Sequence, residues 1–270
     1  MRLARWRPSR LAATMALVVG AGVAFAQDED IGELGPPMWE ADPEHPDDVF
    51  TFVRAKYSSA HRGRWGWGRR WSTDYPDSDI HFSMRLQQLT SLKVNPVPKV
   101  LELSDPALLG YPFLYLIEPG AMSLDDTEVA GLRRYLLAGG FMMVDDFWGE
   151  REWRNFYEEM KRVLPEREPV ELDVSHPIFS AVFPLTQKPQ VPSIHTWQGS
   201  GLTYERHDAQ EPHYQAWFDD DGRMMAIACH NTDLGDGWER EGEDVEYFRK
   251  FAEPQSYPMG INIIFYAMTH

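Results

Sequence analysis

A single doubly wound α/β domain with a mostly parallel sheet is the fold class this chain predicts, on three observations. Residues 123–150, SLDDTEVAGLRRYLLAGGFMMVDDFWGE, read as a helix, a Gly-Gly stop, a buried strand and an acidic turn. Strand-like and helix-like segments alternate from about residue 50 to residue 164, which implies parallel pairing through crossovers. Hydrophobic residues make up 43% of the chain and aromatics 13%, enough to bury one large core.

Taken in order, the segments are a strand at 50–57, a long Gly/Arg/Trp loop, a helix at 79–91, and strands at 99–103 and 112–118. Ser123, with Asp126 three residues on, is placed to cap the next helix. Val129, Leu132 and Leu136 keep its helical spacing, and Gly139-Gly140 ends it before the strand 141–144. A helix follows at 151–164, carrying Trp153, Phe156, Met160 and Val163 on one face. Residues 169–173, 176–179 and 188–193 lack helical spacing and are read as crossing over the sheet. Segments 213–218 and 223–229 flank Asp219-Asp220-Asp221-Gly222, a hairpin turn rather than a metal site. Residues 257–268 form a closing apolar helix or a strand–helix junction.

The first 26 residues carry four Arg and no acid, then an apolar run and Ala24-Phe25-Ala26 before an acidic QDED. This is the pattern of a secretory signal peptide cleaved after Ala26, with an uncleaved anchor as the alternative. The apolar run 11–26 is shorter than the roughly 20 residues of a membrane span. The expected protein is therefore periplasmic or secreted, with no stable span after cleavage. Residues 27–48 are acidic and Pro-rich, a linker, and the folded domain is expected over 49–270. Cleavage removes four of 26 basic residues and none of 42 acids, so the formal charge falls from −16 to −20. Such a surface repels nucleic acid and anionic lipid. Cys229 is the sole cysteine, so no intrachain disulfide can form.

Three constellations carry chemistry. Asp145 and Asp146, with Trp148, end a strand where open parallel sheets place their ligands. Two adjacent carboxylates cannot both be buried and ionised without partners, so one should face a cleft as a metal ligand or general base. The structural alternative is a cap for the following helix with a pair to Arg151 or Arg154. The segment CHNTDLGDGWERE leaves a buried strand and supplies His230, Asn231, Asp233, Asp236 and Trp238. Cys229 reads as a core thiol in an acidic surround, not a nucleophile. His230 reads either as a ligand or as a satisfied structural residue. In HRGRWGWGRRW, four Arg and three Trp, among them Arg69, Arg70 and Trp71, suit an anionic or sugar ligand or else pack on the domain's own acidic surface. Asp74, in the loop beyond, and Glu118, at a strand end, are further candidate ligands, whereas Asp79 reads as a helix N-cap. The signatures HExxH, GxSxG, GxxxxGK[ST] and CxxC are all missing.

The segments FTFVRAKY, WSTDYPDSD, VNPVPKVLELSDP, PFLYLIEPG, GGFMMVDDFWGEREW, HPIF, DDDGRMMAIACHNTDLGDGWE and YPMGINIIFYAMTH resemble the bacterial "domain of unknown function 4159" family. That family looks related to class I glutamine amidotransferase-like domains, and more closely to their ThuA-like branch. The resemblance implies a flavodoxin-like sheet and brings no activity. Where an amidotransferase places its nucleophilic Cys, this chain has Asp145 or Asp146, so glutaminase chemistry is not expected. The leading expectation is an exported domain that binds a small polar or carbohydrate-like ligand, or a protein partner in an envelope assembly. The alternatives are a carbohydrate-active enzyme using Asp145, Asp146 and His230 as an acid–base or metal site, and a non-catalytic structural partner domain. The sequence names no cofactor.

Overall fold

The computed structural model describes residues 39–40, 49–59 and 67–270, the side chains of 67–69 excepted. The leader 1–26, most of the linker 27–48, and the part of the Arg/Trp loop at 60–66 lie outside the described residues, as does the side chain of Arg69.

Seven strands form one sheet in the order β2-β1-β3-β4-β7-β6-β5. They are β1 (Val53–Lys56), β2 (Lys99–Glu102), β3 (Phe113–Ile117), β4 (Phe141–Asp145), β5 (Val170–Glu171), β6 (His213–Phe218) and β7 (Met224–His230). From β2 to β7 every pairing is parallel; β6 and β5 complete the sheet antiparallel. The parallel part has the flavodoxin-like order, with its switch point between β1 and β3. The residues 169–173, expected only to cross the sheet, instead add the short edge strand β5. Two residues there pair with β6, a contact between distant segments that local periodicity does not encode.

The helices are α1 (Asp77–Leu89), α2 (Asp126–Leu137), α3 (Gly149–Val163), α4 (Ile194–Ser200), α5 (Leu234–Glu239), α6 (Val245–Tyr247) and α7 (Tyr257–Thr269), with a π-helical turn at Phe248–Ser256 before the last. No helix among the described residues is long and apolar enough to cross a membrane. Strands β3, β4 and β7 are buried along their whole length, as runs of Phe, Leu, Ile, Met and Ala require when both faces are covered. One core lies under α1 and α7 and includes Phe82, Leu86, Ile261 and Ile264. The other lies under α2 and α3 and includes Leu132, Leu136, Phe156, Met160 and Val163. Trp39, in the segment read as a linker, packs against the first core, and its Nε1 donates to the Val94 carbonyl at 2.8 Å.

Two caps differ from expectation. Helix α2 is capped by Asp125, not Ser123, through a complete capping box with Glu128. Ser123 lies two residues too early for its side chain to reach the free amides. Asp79 caps nothing. It sits within the first turn of α1, fully buried, and pairs with the buried Arg54 of β1. Gly131 is what lets α2 approach the sheet, since a Cβ there would lie 2.1 Å from the Leu103 carbonyl oxygen.

Candidate functional site

The parallel strands all release the chain at one edge of the sheet, and that edge collects the carboxylates. Among the described residues, four non-glycine positions adopt the left-handed backbone region: Asp74 (φ 61°), Glu118 (φ 49°), Asp146 (φ 53°) and Asn231 (φ 61°). Glu118 directly follows β3, Asp146 directly follows β4 and Asn231 directly follows β7, while Asp74 stands in the loop between β1 and α1. Non-glycine residues in this region are uncommon and cluster at functional edges, Asp and Asn adopting it at the least cost.

Arg54 sets the position of Asp74. Its Nε lies 3.0 and 3.1 Å from the two Asp79 oxygens, its Nη1 donates to the carbonyls of Trp71 (3.1 Å) and Thr73 (2.8 Å), and its Nη2 donates to Ser78 Oγ (2.9 Å). A buried guanidinium bonded to Trp71 and Thr73 before Asp74 and to Ser78 and Asp79 after it holds the chain on either side of Asp74. Trp71 is half-buried against the second core, 6.3 Å from Tyr75 ring to ring. Arg70 pairs with Glu118, whose other oxygen accepts from Thr73 Oγ1 at 3.1 Å. The cationic loop thus contacts the domain's own acidic edge.

The adjacent aspartates are separated by the pleat. Asp145, the last residue of β4, is fully buried; its Oδ2 accepts from Tyr115 Oη at 3.0 Å and from the Gly235 amide at 2.9 Å, and its Oδ1 has no hydrogen-bond partner. Burial pushes its carboxyl up to about 7. Asp146 is half-buried in the turn, where its Oδ1 accepts from Trp148 Nε1 at 3.0 Å. Burial, then the charges of Glu118, Asp74, Glu205 and Asp145, hold the Asp146 carboxyl well above the usual range. Neither aspartate caps the following helix, whose N-cap is Trp148. Asp233 caps α5 by accepting from the Asp236 amide at 2.8 Å, and burial together with Asp146, Asp236 and Asp74 raises its carboxyl as well.

The remaining candidates stand apart from this group. Asn231 is a brace: its Oδ1 accepts from the Gly149 amide at 2.9 Å and its Nδ2 donates to the Glu211 carbonyl at 2.9 Å. His230 packs among Phe147, Trp153 and His213, its Nε2 3.2 Å from the Gly149 carbonyl, and burial pushes the ring's pKa down to about 4. Its hydrogen bond goes to backbone, not to Asp145 or Asp146. Cys229, on the other face of β7, is fully buried, and burial pushes its thiol up.

Sequence reasoning did not single out Tyr115, Gly235 or Glu239 as site residues. Tyr115 is hidden in an apolar strand, but Gly235 and Glu239 lie within DLGDGWE, whose density of acids and glycines was a usable signal. Chemically, a group of carboxylates with raised pKa values can accept hydrogen bonds from amines and hydroxyls, donate when protonated, or bind a cation. No curated protein matches the chain. Residues 51–268, most of the folded domain with its strands, its acidic edge and its closing helix, match the model of a family described as "Domain of unknown function (DUF4159)", and the chain belongs to that family.

Proposed function

We propose that this is an exported binding domain whose acidic crevice, formed by Asp146, Trp148, Glu118 and Asp233, takes a small polar ligand rich in amino or hydroxyl groups, without glutaminase activity. The observation that carries this reading is the gathering of Glu118, Asp146 and Asp233 at the switch-point edge, each with its carboxyl raised above the usual range, burial being the largest cause. A ligand ammonium or a set of hydroxyls would satisfy carboxylates that now repel one another, and Trp148 offers an adjacent ring. Export rests on the leader 1–26. We further read the sheet as the class I amidotransferase-like variant, with left-handed Asp146 in the strand-to-helix turn where that fold places its nucleophile. An aspartate there and a buried Cys229 support the lack of glutaminase activity.

The test is thermal unfolding of the full chain against spermidine, glucosamine and neutral monosaccharides. A bound ligand at 100 times its dissociation constant adds about 2.7 kcal/mol of stability. We expect the amine-bearing compounds to stabilise the protein and Asp146→Asn to remove the effect. Equal stability with every compound, or a shift that persists in Asp146→Asn and Glu118→Gln alike, would sink the reading. A second reading, acid–base chemistry on a sugar, is favoured by the carboxyl of Asp145, pushed up to about 7 by burial, since a group so poised can both give and take a proton near neutral pH.

A further inference from the structure

Beside Glu118, Asp146 and Asp233, a second set of carboxylates converges from two segments. Asp74, Asp236 and Glu239 each present an oxygen, and these oxygens lie within 4.8 Å of one another. Asp74 comes from the loop after β1, while Asp236 and Glu239 sit one turn apart on α5. Among the described residues, Arg240 is the one cation in an ion pair with this group, its Nε 2.7 Å from Glu239 Oε2 and 3.6 Å from Asp236 Oδ1. One guanidinium against three carboxylates leaves a charge deficit suited to a divalent ion.

Clustered acids alone would not make a site; the surroundings add independent observations. Asp74 Oδ2 is a buried atom with no hydrogen-bond partner, whereas Glu239 Oε2, also buried, is met by the Arg240 guanidinium. Gly235 lets Tyr115 and Asp74 close in on the backbone of α5: a Cβ there would lie 2.7 Å from Tyr115 Oη and 3.0 Å from Asp74 Oδ2. Asp145 adjoins the same contact, because both donors to its Oδ2, Tyr115 Oη and the Gly235 amide, belong to it. The side chain of Asp145 is fully buried, and its Oδ1 is left unpartnered. Buried oxygens without donors are costly unless something positive is supplied.

We propose that Asp74, Asp236 and Glu239 hold a hard divalent cation, calcium by ligand number, next to the buried carboxylate of Asp145. The donor set is all oxygen, which selects calcium, magnesium or manganese over zinc or copper. Calcium is the best fit because it takes six to eight oxygen ligands in flexible geometry, whereas magnesium keeps several waters and is usually bound through one or two carboxylates. The proposal does not depend on what the crevice binds.

Calorimetric titration of the metal-stripped full chain with calcium chloride tests it. We expect one saturable site, with a dissociation constant at or below the range of about 10⁻⁴ to 10⁻³ M seen in exported calcium modules, and weaker binding of magnesium. Asp236 also accepts from the Ile194 amide and from Tyr247 Oη, so its replacement risks the fold. Glu239→Gln and Asp74→Asn remove ligand oxygens more safely, and each should weaken calcium binding about tenfold or more with an unchanged near-UV circular dichroism spectrum. Should Asp74→Asn unfold the chain, Glu239→Gln decides alone. Binding that is unsaturable up to about 10 mM, ten times the weakest of that range, binding unaffected by Glu239→Gln, or magnesium bound more tightly than calcium would each overturn the assignment.

Discussion

Asp145 and His230 end two hydrogen-bonded parallel strands and project from opposite faces of the sheet. Strands β4 and β7 pair with Val144 opposite Ala228, so the side chains of Asp145 and Cys229 fall on one face and that of His230 on the other. Asp145 meets Tyr115 and Gly235 beneath α5, and His230 meets Phe147 and Trp153 beside α3. The two groups share an edge of the sheet but sit in separate environments.

Their burial gives opposite pH dependences. The carboxyl of Asp145 is pushed up to about 7, whereas it ionises near about 4 in the unfolded chain. Between those values the folded state holds a proton that the unfolded state has lost, so this group's contribution falls as pH rises through the window. His230 is pushed down to about 4. Below about 6.5 the unfolded chain binds a proton that the folded chain refuses, so stability is lost as pH drops from about 6.5 towards 4, by roughly 3 kcal/mol in all. The two windows overlap with opposite signs, so urea unfolding across pH 4–8 should show Asp145→Asn losing stability more steeply than the parent towards acid and His230→Gln losing it more steeply towards neutral pH. Profiles that superimpose on the parent's would contradict both assignments.

Arg54 and Asp79 form a buried ion pair on which the Asp74 loop depends. Arg54→Met leaves an uncompensated buried carboxylate and should cost about 3–5 kcal/mol, while joining it to Asp79→Leu should recover a large part of that. A single-variant loss under about 1 kcal/mol in urea unfolding would show that the pair does not hold the loop.

Cys229 pairs with Tyr214 across the β6–β7 ladder and is fully enclosed. Cys229→Ser should destabilise more than Cys229→Ala, because the hydroxyl enters an apolar core with a desolvation cost of about 1–3 kcal/mol. The native thiol should react with a thiol reagent only through unfolding, so a rate matching that of a free thiol would contradict its burial.

Gly131 carries a prediction with no bearing on the site. Gly131→Ala puts a methyl 2.1 Å from the Leu103 carbonyl oxygen, and because that atom is backbone the helix must move away from the sheet. A loss of more than about 3 kcal/mol is expected despite the better helix propensity of alanine. Thermal unfolding within a degree of the parent's would refute the close approach.

The sequence by itself determined the α/β class, the order of the parallel strands' segments, the hairpin at Asp219–Gly222 and the burial of Cys229, because these follow from local periodicity and turn chemistry within a few residues. It also marked the acidic edge, since the carboxyl end of a parallel strand is fixed once the strand is recognised. Only the tertiary structure decided the rest. The pleat, whose period of two residues is invisible until the faces are assigned, buried Asp145 and left Asp146 in the turn. It also turned His230 away from Asp145. Pairing between distant segments recruited residues 170–171 into the sheet and made Asp79 the partner of Arg54, so the locally plausible cap gave way to a buried charge that had to be neutralised. The convergence of Asp74 with Asp236 and Glu239 arises the same way: more than 160 positions apart, they meet because α5 folds back over the strand ends, at Gly235, whose missing side chain lets Asp74 come close.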